Sequence, residues 1–116
     1  MSTEADIVAY IQESEFDALL SEQKVVVVDF TATWCGPCRL ISPLMDQLAQ
    51  EYFGRAKVVK VDVDNNKPMF KKFGLRSIPA VLIFFNGSLA ETIVGVSPYE
   101  DFSSAVDKQL SLLTNG

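Results

Sequence analysis

Residues 25–31 read Val-Val-Val-Val-Asp-Phe-Thr, apolar at odd and even positions alike except for one aspartate. Successive side chains of a strand point to opposite faces, so a run apolar on both predicts a strand covered on both sides, at the centre of a sheet. Residues 57–63 alternate and read as a further strand. Residues 80–85 and 89–94 flank Asn86-Gly87, the pair that best tolerates the positive φ of a tight hairpin turn. Residues 7–11 read as a weak first strand.

Other stretches carry helical spacing. Leu40, Ile41, Leu44, Met45, Leu48 and Tyr52 recur on one face of a long helix, which Pro43 should kink and Gly54 should stop. Ser14-Glu15-Phe16-Asp17 has the form of a capping box opening a short helix through Phe16, Leu19 and Leu20. Residues 68–73 predict another short helix, ended by Gly74. In Ser97-Pro98-Tyr99-Glu100 the serine reads as an N-cap and the proline as the first helical residue. The helix it opens runs through Phe102, Ala105, Val106, Leu110 and Leu113. The order β-α-β-α-β-α-β-β-α predicts an α/β protein of three layers, a mixed five-stranded sheet flanked by four helices. The opening βαβαβ portion should pair in parallel and the closing hairpin should form an antiparallel edge.

Composition narrows the function classes. With 116 residues, 48% hydrophobic and 22% charged, the chain can bury a core and reads as a single domain over 1–116, without repeats or low-complexity tracts. A net charge of −5 argues against non-specific binding to nucleic acid or to anionic membranes. The acidic N-terminal stretch lacks a basic region followed by an apolar block, so no secretory signal is expected. No apolar run approaches the roughly 20 residues of a membrane span. The expectation is a cytoplasmic protein, with an organelle stroma or matrix, reached after removal of a transit peptide, as the alternative.

The chemistry lies in Trp34-Cys35-Gly36-Pro37-Cys38, directly after the apolar strand and before the long helix. It holds the only two cysteines, and a pair in a reducing compartment points to catalysis or metal binding rather than to a structural framework. At a helix start, Cys35 meets unpaired backbone N–H groups and the positive end of the helix dipole, which lower a thiol's pKa. Cys35 is therefore expected to attack. Cys38, one turn on, can reach it and resolve a mixed disulfide. Gly36 permits close approach of a substrate backbone, and Pro37 fixes φ where an N–H has no internal partner.

Three rival readings compete. The pair could be an inert buried couple. It could hold a metal or an iron–sulfur cluster, but two Cys and no His supply half a ligand set, so a second chain would have to complete it. It could sit in a binding module that does no turnover. The lack of His excludes a Cys–His hydrolase, and no glycine-rich phosphate loop suggests a nucleotide. No metal and no cofactor beyond the redox-active pair is expected.

From about Phe16 to Leu112 the chain resembles thioredoxin. The likeness rests on Trp34-Cys35-Gly36-Pro37-Cys38, Asp29-Phe30 before it, Pro43, Arg76-Ser77-Ile78-Pro79, Phe84-Phe85-Asn86-Gly87 and Val94-Gly95. The resemblance implies a thioredoxin-like fold and a protein-disulfide reductase, re-reduced by a thioredoxin reductase that is nicotinamide-linked or ferredoxin-linked. It implies a buried Asp29 that takes the proton of Cys38, with Lys60 tempering its charge. It implies a cis peptide before Pro79, facing the cysteines. Trp34, Gly36, Pro37, Ile78, Val94 and Gly95 would line a shallow apolar substrate surface, and the partners would be disulfide-containing proteins met by a monomer. Read from their own patterns alone, Asp29 could face water, Trp34 could be a core aromatic, Lys60 a solvated side chain and Gly95 a simple turn glycine. Thr31 stands where many bacterial members carry tryptophan, and Ser77 where many carry glycine; the stretch around Thr31 is closer to plant-like and other eukaryotic forms.

Overall fold

The structure, a computed structural model, describes residues 8–115, with side chains through Leu113. The elements follow as β1 (Ala9–Tyr10), α1 (Glu13–Glu22), β2 (Val25–Thr31), α2 (Gly36–Glu51), β3 (Lys57–Asp62), α3 (Lys67–Lys72), β4 (Ala80–Phe85), β5 (Ser88–Val94) and α4 (Tyr99–Asn115). The order along the sheet is β1-β3-β2-β4-β5. β1 and β2 run parallel to β3, and β4 is antiparallel to both β2 and β5. The predicted mixed sheet is therefore present, with β2 at its centre and every residue of that strand buried.

Alternation along β2 divides the core. Val25 and Val27 pack with Ile41, Met45 and Leu48 of α2 and with Phe102, Ala105 and Val106 of α4. Val26, Val28 and Phe30 pack on the other face with Phe16 of α1 and Met69 of α3. On that second face Phe16 meets Phe73 and Phe84 edge-on, at ring centroids 5.8 and 5.2 Å apart. The hairpin turns at Asn86 (φ 51°) and Gly87 (φ 83°), both in the left-handed region that this residue pair tolerates.

Four local expectations need correction. The first strand shortens to Ala9–Tyr10, and Ile7 lies outside the described residues. The N-cap of α1 is Gln12, not Ser14. Glu15 accepts from the Gln12 N–H at 2.7 Å, and the Asn66 side chain accepts from the Glu13 N–H at 2.8 Å, so a cap from 53 residues away fixes the start. Leu40 is exposed, because it lies about 100° around the helix from Ile41, outside the buried stripe. The last helix begins at Tyr99, so Pro98 precedes it rather than opening it. Pro43 lies inside α2, as its position required.

Candidate active site

β2 ends at Thr31 and the chain turns at once into α2, with Cys35 as its N-cap residue and Pro37 in its first turn. The Cys35 N–H closes the turn on the Ala32 carbonyl at 3.2 Å, and the Arg39 guanidinium donates to the Thr33 carbonyl at 2.9 Å. Cys35 and Cys38 form a disulfide with Cα atoms 5.3 Å apart. The Cys38 N–H, one of the first-turn donors with no partner inside the helix, points at Cys35 Sγ from 3.2 Å. That donor and the helix dipole favour negative charge on Cys35 Sγ when the pair is reduced.

A second segment faces the pair. The Ile78–Pro79 peptide is cis, as the resemblance implied. Cys35 Sγ lies 4.0 Å from the Ile78 carbonyl oxygen; a disulfide sulfur has no proton to donate, so this is a contact. The Pro79 carbonyl accepts from the Gly95 N–H at 2.8 Å, and Ala80 pairs with Val94 across β4 and β5. Gly95 has φ 91°, a conformation that L side chains rarely adopt, so it is more than an interchangeable turn residue. Ile78 is half-buried, Val94 and Gly36 are exposed, and Pro79 is buried.

Trp34 is 65% exposed, which rules out a core role. Its indole N–H donates to Asp64 Oδ2 at 2.8 Å, so the ring is tethered to the segment between β3 and α3. No motif singles out Asp64, although its place just past an alternating strand marks it as a loop residue beside the ends of β2 and β3.

Asp29 is buried and does not face water. It shares the face of Val25 and Val27, toward α2 and α4, and lies level with Lys60 in the β2–β3 register. Its Oδ1 has no hydrogen-bond partner. Burial pushes its pKa from 3.8 up to about 7, against the opposing field of the Lys60 ammonium. Lys60 is half-buried rather than freely solvated, and its Nζ donates to Ser42 Oγ at 2.7 Å. Ser42 is likewise outside every motif; its signal is the four-residue step from Cys38, which places both along one side of α2. Among the described residues, no group of three or more His, Cys, Asp or Glu side chains is placed to hold a metal ion. Nor is any helix among them long and apolar enough to cross a membrane.

Comparison with known proteins agrees with this geometry. The family model described as Thioredoxin matches residues 7–108. Thioredoxin 1 of Synechococcus elongatus is 39% identical over 105 residues, covering 90% of this chain and 98% of that protein. Chloroplastic thioredoxin M5 of Oryza sativa is 40% identical over 111 residues, 95% of this chain but 64% of the rice protein. Among solved structures, a mutant thioredoxin from Halobacterium salinarum superposes with a TM-score of 0.81 at 30% identity, covering 89% of each chain. Sheet order, cysteine pair and a family match across most of its length agree: the chain belongs to the thioredoxin family.

Proposed function

We propose that the protein reduces disulfides in other proteins by dithiol–disulfide exchange. The observation that carries this reading is the placement of Cys35 at the start of α2, where the Cys38 N–H reaches its sulfur. In the reduced protein the Cys35 thiolate attacks one sulfur of a target disulfide. The target S–S bond breaks, a Cys35–target mixed disulfide forms, and the first target sulfur leaves as a thiolate and takes a proton from water. Cys38 then gives its proton to the Asp29 carboxylate and attacks Cys35 Sγ. The second target sulfur leaves as a thiolate and is protonated in turn. The target gains two electrons and two protons, and the Cys35–Cys38 disulfide remains.

The carboxylate suits its task. With a pKa near 7, Asp29 can accept a proton near neutrality and release it again, and the unpartnered Oδ1 leaves a lone pair for that proton. Trp34, Gly36, Pro37, Ile78, Val94 and Gly95 supply the surface on which an extended target segment would lie, and the Ile78–Pro79 segment stands beside the attacking sulfur. The exchange draws on the cysteine pair, the Asp29 carboxylate and protons from water. A thioredoxin reductase, nicotinamide- or ferredoxin-linked, would restore the dithiol. We place the protein in a reducing compartment, the cytoplasm or an organelle stroma or matrix; the chloroplastic name of the rice relative supports the latter and the bacterial relatives the former.

The test is insulin reduction with dithiothreitol as electron source. Acceleration well above the dithiothreitol background is expected; a rate equal to background would leave a binding module without turnover as the better reading.

A further inference from the structure

Lys60 is level with Asp29 in the sheet, and both side chains rise toward α2. Yet the ammonium does not close on the free carboxyl oxygen. Asp29 Oδ1 stays buried and unpartnered, an unfavourable arrangement for a polar group that a neighbour could satisfy. A lysine stem is long and flexible enough to make that contact. Lys60 Nζ is instead taken up by Ser42 Oγ at 2.7 Å, and it stands 5.9 Å from the centre of the Tyr10 ring. Ser42 lies one helical turn beyond Cys38, so the helix that presents the resolving thiol also presents the acceptor for Lys60.

We infer that Ser42 is a positioning residue: its hydroxyl holds the Lys60 ammonium near enough for its field to reach Asp29 and far enough to leave Oδ1 free for a proton. The surroundings leave this duty to one group. Val81 faces Asp29 from β4, Tyr10 flanks Lys60 from β1, α2 carries Ser42, and α4 turns the apolar Phe102, Ala105 and Val106 to this side; Lys60 is the charged side chain that acts on Asp29. Burial drives the carboxyl upward and Lys60 draws it part of the way back, so the lysine's distance sets the balance. For its catalytic consequence this role rests on the reading of the chain as a disulfide reductase; its test does not.

The test is the 13C-carboxyl NMR titration of Asp29 in the oxidised full-length protein, for the wild type, Ser42→Ala, Lys60→Met and the double variant. Without the hydroxyl, the ammonium is free to swing toward the unpartnered Oδ1, and the Asp29 midpoint should fall by about one pH unit. Lys60→Met should raise the midpoint, and adding Ser42→Ala to it should move it no further, because the anchor then has nothing to hold. A Ser42→Ala midpoint equal to or above that of the wild type overturns the role, as does an equal shift in the Lys60→Met background. Insulin reduction is read separately: a wild type without activity contradicts the reductase reading, while the titration still decides whether Ser42 positions Lys60.

Discussion

The Cys38 amide N–H points at Cys35 Sγ from 3.2 Å, so the two cysteines are chemically unequal although three residues apart. One sulfur has a backbone donor and the helix N-terminus beside it; the other belongs to the interior of the first turn. In the reduced protein Cys35 should therefore ionise below the usual thiol value of about 8.5. Iodoacetamide at pH 7 should label Cys35 at least about tenfold faster than Cys38. Equal labelling, mapped by peptide mass spectrometry, would contradict that inequality.

Asp29 makes stability depend on pH. Its carboxyl is raised in the folded chain from 3.8 to about 7, so its stabilising contribution is fully present below about pH 4 and is lost as pH rises through about 7. The full loss is about 4 kcal/mol, taking about 1.4 kcal/mol per pH unit. Asp29→Asn should then match the wild type near pH 4 and exceed it by up to that amount at pH 8 in urea unfolding of the oxidised protein. The same variant should slow insulin reduction near neutrality. A wild-type stability that is flat between pH 4 and 8 would sink the account of this carboxyl.

Trp34 is the only tryptophan, and Asp64 holds its indole N–H at 2.8 Å. Asp64→Ala should release the ring and change its emission, while unfolding free energy moves by less than about 1 kcal/mol because the pair is exposed. KM for insulin should rise several-fold with kcat little changed. Unaltered emission and KM would show that the tether does not set the ring's position.

Away from the cysteines, Tyr52 joins α2 to α4. Its hydroxyl meets Asp107 Oδ1 at 2.6 Å and the Ser103 carbonyl at 3.2 Å, and nearby Tyr99 bonds Glu51. Burial and the Asp107 bond both push the Tyr52 phenol up, so it stays protonated as a donor. Tyr52→Phe should cost about 1–3 kcal/mol, since Asp107 gives up a charge-assisted bond, without changing the insulin rate. A stability equal to the wild type would show that the two helices do not depend on this bond.

The sequence is legible wherever one local rule decides the outcome. The doubly apolar Val25–Thr31 run suits only a central strand, and Asn86-Gly87 suits only a turn with positive φ. It misleads where a distant group decides. Ser14 has the better capping chemistry, but Asn66 reaches the Glu13 N–H and the helix starts earlier. Leu40 looks like part of the apolar stripe, yet helix phase turns it outward. At the site, Cys35, Cys38, Asp29 and Pro79 are marked by motif and by an odd charge in an apolar strand. Ser42 and Asp64 are not, because their meaning lies in the partners, Lys60 and Trp34, that folding brings to them.

The central claim, that Cys35 attacks and Cys38 resolves, is tested most directly by trapping. Cys38→Ser and Cys35→Ser proteins, reduced and mixed with an excess of a disulfide-bonded target, are analysed by non-reducing mass spectrometry. Cys38→Ser should accumulate a mixed disulfide mapped to Cys35, and Cys35→Ser should accumulate little. Equal trapping at both positions, or none at Cys35, would contradict the assigned order of attack.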